Sequence, residues 1–112
     1  MKHISYNVDW GWWSENKNVF FIDDEFIGQY TFQFNDVIIL TAVYVDPDYR
    51  GEGYGTKIMN KAIEYITEHK LVNVYLEVDK TNTVATALYL KLGFEFSGDY
   101  KPEEYLNLMK YK

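Results

Sequence analysis

The run Arg50-Gly51-Glu52-Gly53-Tyr54-Gly55 could do chemistry, because its residue types and spacing offer a backbone nest for phosphate groups. Glycines at alternate positions reach conformations that other residues resist and bring N–H groups close to an anion. Thr56 then begins a helical pattern, and a helix start adds unpaired N–H donors and the positive end of the helix dipole. Such a nest suits the pyrophosphate of a nucleotide-like ligand, although a tight glycine-rich turn from strand to helix has the same local pattern. Residue order removes two other phosphate loops. A Walker loop needs Gly-Lys-Ser/Thr where this chain has Gly55-Thr56-Lys57. A dinucleotide fingerprint needs Gly-x-Gly-x-x-Gly, whereas the glycines here are Gly51, Gly53 and Gly55, so NAD is not indicated.

Composition narrows the chemistry further. The chain has no cysteine, which removes thiolate catalysis and cysteine metal ligands, and its imidazoles, His3 and His69, are far apart in sequence, so no metal site is expected. A net charge of −6 argues against nucleic acid or an anionic membrane surface as partner and is compatible with amines or basic peptides. No apolar run is long enough to span a bilayer, and Met1-Lys2-His3-Ile4 does not open a signal peptide, which predicts a soluble, cytoplasmic protein. With 112 residues, 47% of them hydrophobic, a single domain over 1–112 is expected.

Periodicity and punctuation supply the elements that must hold the loop. Ile4, Tyr6 and Val8 alternate as a short first strand, and Trp10 to Asn16 reads as a connection. Asn18–Ile22 and Phe26–Phe34 are β-rich and flank a turn at Asp23-Asp24-Glu25; a second turn at Asn35-Asp36 leads to Val37–Val45. That last run is apolar on both faces, which predicts a buried central strand, and Pro47 ends it. From Thr56 the period becomes helical, with Ile58, Met59, Ala62, Ile63 and Ile66 on one face and His69-Lys70 at the cationic end. Val72, Val74, Leu76 and Val78 alternate as a strand. Asn82 is placed as the N-cap of a second helix with an Ala85, Leu88, Leu92 stripe, which Gly93 stops. Phe94-Glu95-Phe96 and Tyr105–Tyr111 complete the strands.

Two of these segments carry a family resemblance. Val43-Tyr44-Val45-Asp46-Pro47-Asp48-Tyr49-Arg50-Gly51-Glu52-Gly53-Tyr54-Gly55 resembles the acetyl-CoA-binding motif of the GNAT superfamily of N-acetyltransferases, whose pattern Gln/Arg-x-x-Gly-x-Gly/Ala is filled by Arg50, Gly53 and Gly55. Asn82-Thr83-Val84-Ala85-Thr86-Ala87-Leu88-Tyr89-Leu90-Lys91-Leu92-Gly93-Phe94 resembles the second block of that superfamily. The likeness covers roughly residues 19 to 112. It implies an α/β (α+β mixed) fold, a central mixed and mostly antiparallel sheet with two main helices, and acetyl-CoA as co-substrate without a metal.

The resemblance also implies roles for single positions. Backbone around Val43 and Val45 would hold the pantetheine arm like an added strand, with the Val45 N–H as oxyanion donor beside a local bulge. Arg50, Gly51, Gly53, Tyr54, Gly55 and Thr56 would hold the pyrophosphate, with an Arg50 salt bridge to Asp46 or Asp48 as the plain alternative. Asn82 would contact the pantetheine amide, unless it is only a helix cap. Tyr89 would protonate the departing thiolate, which a phenol of ordinary pKa about 10 can do without first losing its proton. Glu77, within Leu76-Glu77-Val78, resembles the basic glutamate of the bacterial ribosomal-protein N-terminal-alanine acetyltransferases, with Asp36 or Asp79 as substitutes. Removing a proton at pH 7 costs about 4.6 kcal/mol for a lysine-like amine against about 1 kcal/mol for an α-amine, so a weak base fits the latter better.

One departure from the family pattern stands at the N-terminus. Family members place helices between the first two strands, and here about nine residues, Trp10 to Asn18, are available. An open acceptor face is therefore expected, with Trp10, Trp12 and Trp13 capping the core, buried in a homodimer, or forming an aromatic platform for a cation or peptide. The function expected is transfer of acetyl from acetyl-CoA to a primary amine of a small molecule or peptide, by direct attack in a ternary complex. The alternative is a non-catalytic acyl-CoA-binding or structural protein that retains the fold.

Overall fold

The computed structural model describes residues 1–112 and forms strands β1 (Lys2–Asp9), β2 (Ser14–Ile22), β3 (Glu25–Phe34) and β4 (Ile38–Val45), helix α1 (Tyr54–Glu68), strand β5 (Val74–Asp79), helix α2 (Thr83–Leu92), and strands β6 (Phe94–Phe96) and β7 (Leu106–Tyr111). They build a seven-stranded sheet in the order β1-β2-β3-β4-β5-β7-β6. Every neighbouring pair is antiparallel except β4 and β5, so the expected mixed, mostly antiparallel sheet with two main helices is found. No helix is long and apolar enough to cross a membrane.

Both helices cover one face of the sheet. Ile58, Met59, Ala62 and Ile66 of α1 and Tyr89 of α2 join Phe20, Tyr30, Phe32, Leu40, Val74, Leu76 and Met109 in one cluster of buried side chains. Paired residues point to the same face, so the other face carries Tyr6, Glu15, Lys17, Thr31, Gln33, Ile39 and Tyr75. Gly28 lies under Ile58 of α1, where the sheet has no room for a side chain. A Cβ there would lie 2.5 Å from the Tyr44 carbonyl oxygen and 2.7 Å from Ile58 Cδ1.

Three sequence expectations change. First, β2 begins at Ser14, which leaves only Trp10–Trp13 between β1 and β2 in place of the nine residues to Asn18. Ser14 to Asn18 lacks apolar alternation, yet polar side chains hold it in the sheet. Asn18 Oδ1 accepts from His3 Nε2–H at 2.8 Å and its Nδ2 donates to Asn16 Oδ1 at 2.8 Å, while Asn16 Nδ2 donates to Ser5 and Asn7. Second, β4 is central in the sheet but only Leu40 is buried, because no helix covers its second face and little of its β5 side is paired. Third, β5 starts at Val74 and not Val72, which is 72% exposed and precedes Asn73 in the left-handed region at φ +56°.

Candidate functional site

The site forms where the sheet parts. β4 and β5 pair only at Ile38 with Val74 and Ile39 with Tyr75. Just beyond, the β3–β4 register shifts between Gln29 and Thr31, Ala42 turns into the left-handed region at φ +54°, and Gln29 Nε2 donates to the Ala42 carbonyl at 3.3 Å. This is a bulge, which bends its strand and re-aims its backbone groups. The Asp46 N–H donates to the Ile27 carbonyl at 2.7 Å. Amides alternate direction along a strand, so the Val45 N–H points the opposite way, into the gap toward β5.

Past β4 the chain forms the predicted nest. Gly51 and Gly53 have φ of +78° and +84°, values that only glycine adopts at low cost. Gly53 is the N-cap of α1 and provides no side-chain cap, and the first backbone bond of the helix runs from Lys57 N–H to the Gly53 carbonyl at 3.1 Å. The N–H groups of Gly51 to Thr56 make no hydrogen bond within the protein. A row of free donors at the positive end of a helix is a site for an anion. Gly55 differs from the other two. It lies in the helix, and a Cβ there would come no closer than 3.7 Å to Val45 Cγ2 and 4.0 Å to Leu88 Cδ2.

A cavity of about 500 Å³ joins the nest to the gap, lined among others by Val43, Val45, Arg50, Gly51, Gly55, Asn82 and Tyr89. The two sequence blocks therefore meet, with Gly53, Tyr54 and Thr56 just outside the lining. Tyr54 packs edge-on against Tyr49 and carries Lys57 over its ring. Arg50 forms no salt bridge with Asp46 or Asp48; its Nε donates to the Val45 carbonyl at 2.8 Å, and its guanidinium lies over Tyr44. That bond occupies the carbonyl of Val45 and leaves its N–H free. Asn82 is a working N-cap, its Oδ1 accepting from Ala85 N–H at 3.1 Å, while its side chain also borders the cavity.

Tyr89 is 8% exposed, with its ring edge-on to Phe94. Its hydroxyl bonds no protein group and is not fully buried, and the residue is part of the cavity wall. Burial pushes the phenol pKa above 10.0. Glu77 stands on the opposite face of the sheet from the helices, exposed, and accepts from the Tyr100 hydroxyl at 2.9 Å. Strand alternation turns it outward between buried Leu76 and Val78. Of the substitutes, Asp79 is held below the usual carboxylate range by the Thr81 hydroxyl and N–H, which makes it a poor base, and Asp36 borders a different concavity, beside Trp12 and Trp13.

Sequence reasoning missed several cavity walls. Ala85 and Leu88 were assigned to a core stripe, but they are half-buried and line the cavity together with Val84 and Tyr49. Apolar residues on more than one face of α2 were the available signal, whereas Tyr49 is placed by a hydrogen bond to the distant Glu25. The tryptophans do not cap the core. Trp10 and Trp12 are 54% and 80% exposed at the tip of the β1–β2 hairpin.

Several proteins similar to this chain are acetyltransferases. The sequence pattern described as "Acetyltransferase (GNAT) family" matches residues 2–94. Spermidine N(1)-acetyltransferase of Escherichia coli strain K12 is 36% identical over 66 residues, covering 58% of this chain and 36% of that protein. The [ribosomal protein bS18]-alanine N-acetyltransferase of the same strain is 36% identical over 59 residues, covering 53% of this chain and 40% of that protein. Each sequence match thus spans less than half the length of the relative. A crystal structure of the Escherichia coli ribosomal-protein-S18-alanine N-acetyltransferase superposes with a TM-score of 0.72 at 22% identity, over 92% of this chain and 70% of that one. A GNAT family acetyltransferase from Elizabethkingia anophelis, solved with acetyl-CoA bound, gives a TM-score of 0.73 at 12% identity, over 98% of this chain and 97% of that one. At these identities the two structures bear on the fold. With the family pattern running from residue 2 to 94 and its two blocks closing on one cavity, this chain belongs to the GNAT family of acetyltransferases.

Proposed function

We propose that this protein transfers the acetyl group of acetyl-CoA to a primary amine by direct attack in a ternary complex. The observation that carries the proposal is the convergence of the free N–H groups of Gly51–Thr56, the outward-pointing Val45 N–H and the unpartnered Tyr89 hydroxyl on one cavity. Acetyl-CoA supplies the activated acyl group as a thioester. The nest would take its pyrophosphate, and the unpaired edge of β4 at Val43 and Val45 its pantetheine arm. The Val45 N–H is aimed to stabilise charge on the thioester oxygen. As the C–N bond forms and the C–S bond breaks, Tyr89 gives its proton to the departing sulfur. Glu77, on the open face, accepts the proton lost by the amine, directly or through water. Relatives that act on spermidine and on a ribosomal-protein alanine support an amine acceptor.

Gly55→Leu tests the cofactor assignment. Gly55 is helical, and a Cβ there would stand 3.7 Å from Val45 Cγ2 and 4.0 Å from Leu88 Cδ2, so a methyl fits, as the Gly/Ala of the family pattern allows, while a longer side chain must enter cavity space. Leucine is a good helix former, so the fold should be retained. Calorimetry should show acetyl-CoA affinity lowered at least tenfold in Gly55→Leu and little changed in Gly55→Ala. Unchanged affinity in a folded Gly55→Leu would remove the ligand from this cavity.

A further inference from the structure

The two edges of the sheet are β1 and β6, and they are unlike. An exposed edge presents unpaired N–H and C=O groups to any further strand, and proteins blunt it by shortening the strand, bulging it, or placing proline or lysine along it. β6 is blunted, with only three residues. β1 is not: it runs for eight residues, pairs with β2 without a register shift, has no proline, and carries its one lysine, Lys2, at its end. Alternation puts His3, Ser5 and Asn7 on the helix face with Phe20, Asn18 and Asn16, and Ile4, Tyr6 and Val8 on the other. Ile4 and Tyr6 are 41% and 48% exposed, and Trp10 follows on the same face, where its indole reaches Glu15.

Backbone direction decides how a further strand can join. The Trp10 N–H donates to the Trp13 carbonyl at 2.9 Å, which makes these two residues the hydrogen-bonded pair that closes the β1–β2 hairpin. Such pairs alternate along an antiparallel ladder, so Val8, Tyr6, Ile4 and Lys2 bond to β2, whereas Asp9, Asn7, Ser5 and His3 turn their N–H and C=O groups outward. We propose that a second copy of this chain joins here, β1 against β1, across a two-fold axis through Tyr6. This antiparallel register alone pairs all four outward residues, His3 with Asp9 and Ser5 with Asn7 of the second copy. On the helix-free face Ile4 then meets Val8, Tyr6 meets Tyr6, and the Lys2 ammonium comes beside the Trp10 ring, where a cation is attracted. A two-fold interface must be self-complementary, and β1 is, with Lys2 and His3 at one end and Asp9 at the other.

The axis has a direct test, because the chain has no cysteine. Residues that face each other in a non-hydrogen-bonded pair stand about 4.5 Å apart between Cα atoms, within the span of a disulfide. In Tyr6→Cys of the full chain, oxidised glutathione should therefore link two copies, one disulfide forming between the chains as that of glutathione is reduced to two thiols. Ile4→Cys, which faces Val8, and Phe96→Cys, on the β6 edge, should link at least tenfold more slowly. Sedimentation velocity of the parent chain at about 100 μM should show a reversible dimer. Ser5→Pro removes an outward N–H, the edge position that proline tolerates, and leaves Asn16 its bond to Asn7. It should raise the dimer dissociation constant at least tenfold with the circular dichroism of the fold unchanged. A monomeric parent, a folded Ser5→Pro that dimerises as tightly as the parent, or linking no faster in Tyr6→Cys than in the other two cysteine variants would overturn the proposal. Should Ser5→Pro fail to fold, the cysteine rates decide.

Discussion

Tyr89→Phe is expected to leave Tm and acetyl-CoA affinity unchanged and to slow turnover by about a hundredfold or more, the range that a positioned general acid contributes. The two halves of that expectation come from one observation. The Tyr89 hydroxyl bonds no protein group, so removing it breaks nothing in the fold, while the ring that packs on Phe94 is retained. A tyrosine serving only the core would show no change in rate. The pH profile gives a second measurement. Burial raises the Tyr89 pKa above 10.0, so its phenol is neutral and able to donate throughout the physiological range. Turnover should therefore show no alkaline fall due to Tyr89 below pH 10. Any alkaline limb that Tyr89 does cause should vanish in Tyr89→Phe. Full activity with an unaltered profile would remove Tyr89 from the chemistry.

Gly28→Ala should be the most damaging single methyl in the protein. The added carbon would lie 2.5 Å from a backbone oxygen, that of Tyr44, and 2.7 Å from Ile58 Cδ1. Ile58 can change rotamer, but the backbone oxygen cannot yield without moving β4. Overpacking of this kind costs about 1–3 kcal/mol, and here the upper end is expected, which corresponds to a fall in Tm of about 10–20 °C. Because Tyr44 adjoins Val45, acetyl-CoA affinity should fall as well. Adding Ile58→Val should restore only part of the loss, since it relieves the side-chain contact and leaves the backbone one. A Tm within about 2 °C of the parent would show that the helix and strand can move apart freely.

These two residues were not equally visible in the sequence. Tyr89 was singled out among eleven tyrosines because its position in the second block resembles a family motif, and its unpartnered hydroxyl supports that proposal. Gly28 gave no local signal, since its constraint is a three-way contact with Tyr44, Val45 and Ile58, all distant in sequence. Helix α1 was legible because its apolar residues repeat with a helical period, α2 because Asn82 and Gly93 cap its ends, and the loop glycines with positive φ, Gly51 and Gly53, were legible too. Gly55 looked equivalent in the motif and proved to be an ordinary helical residue facing a cavity. The polar start of β2 was illegible for a physical reason. Asn16 and Asn18 are buried by satisfying one another and their neighbours, and hydrophobic periodicity does not register that kind of burial. Glu15 escaped notice on the same stretch, although it is among the few buried charged or polar side chains.

The parting of β4 from β5 makes this sheet resemble a plate with a crack running in from one edge. Ile38, Ile39, Val74 and Tyr75 sit at the crack tip, the last points at which the block β1–β4 is stitched directly to the block β5–β7. Load on either block concentrates there, and the two halves of the candidate site lie on opposite lips. Val45 and the nest hang from one lip, while the other feeds α2 and Tyr89. A ligand lying in the opening would bridge both, so the width of the crack, set by four residues outside the cavity lining, governs how donor amides and phenol are spaced.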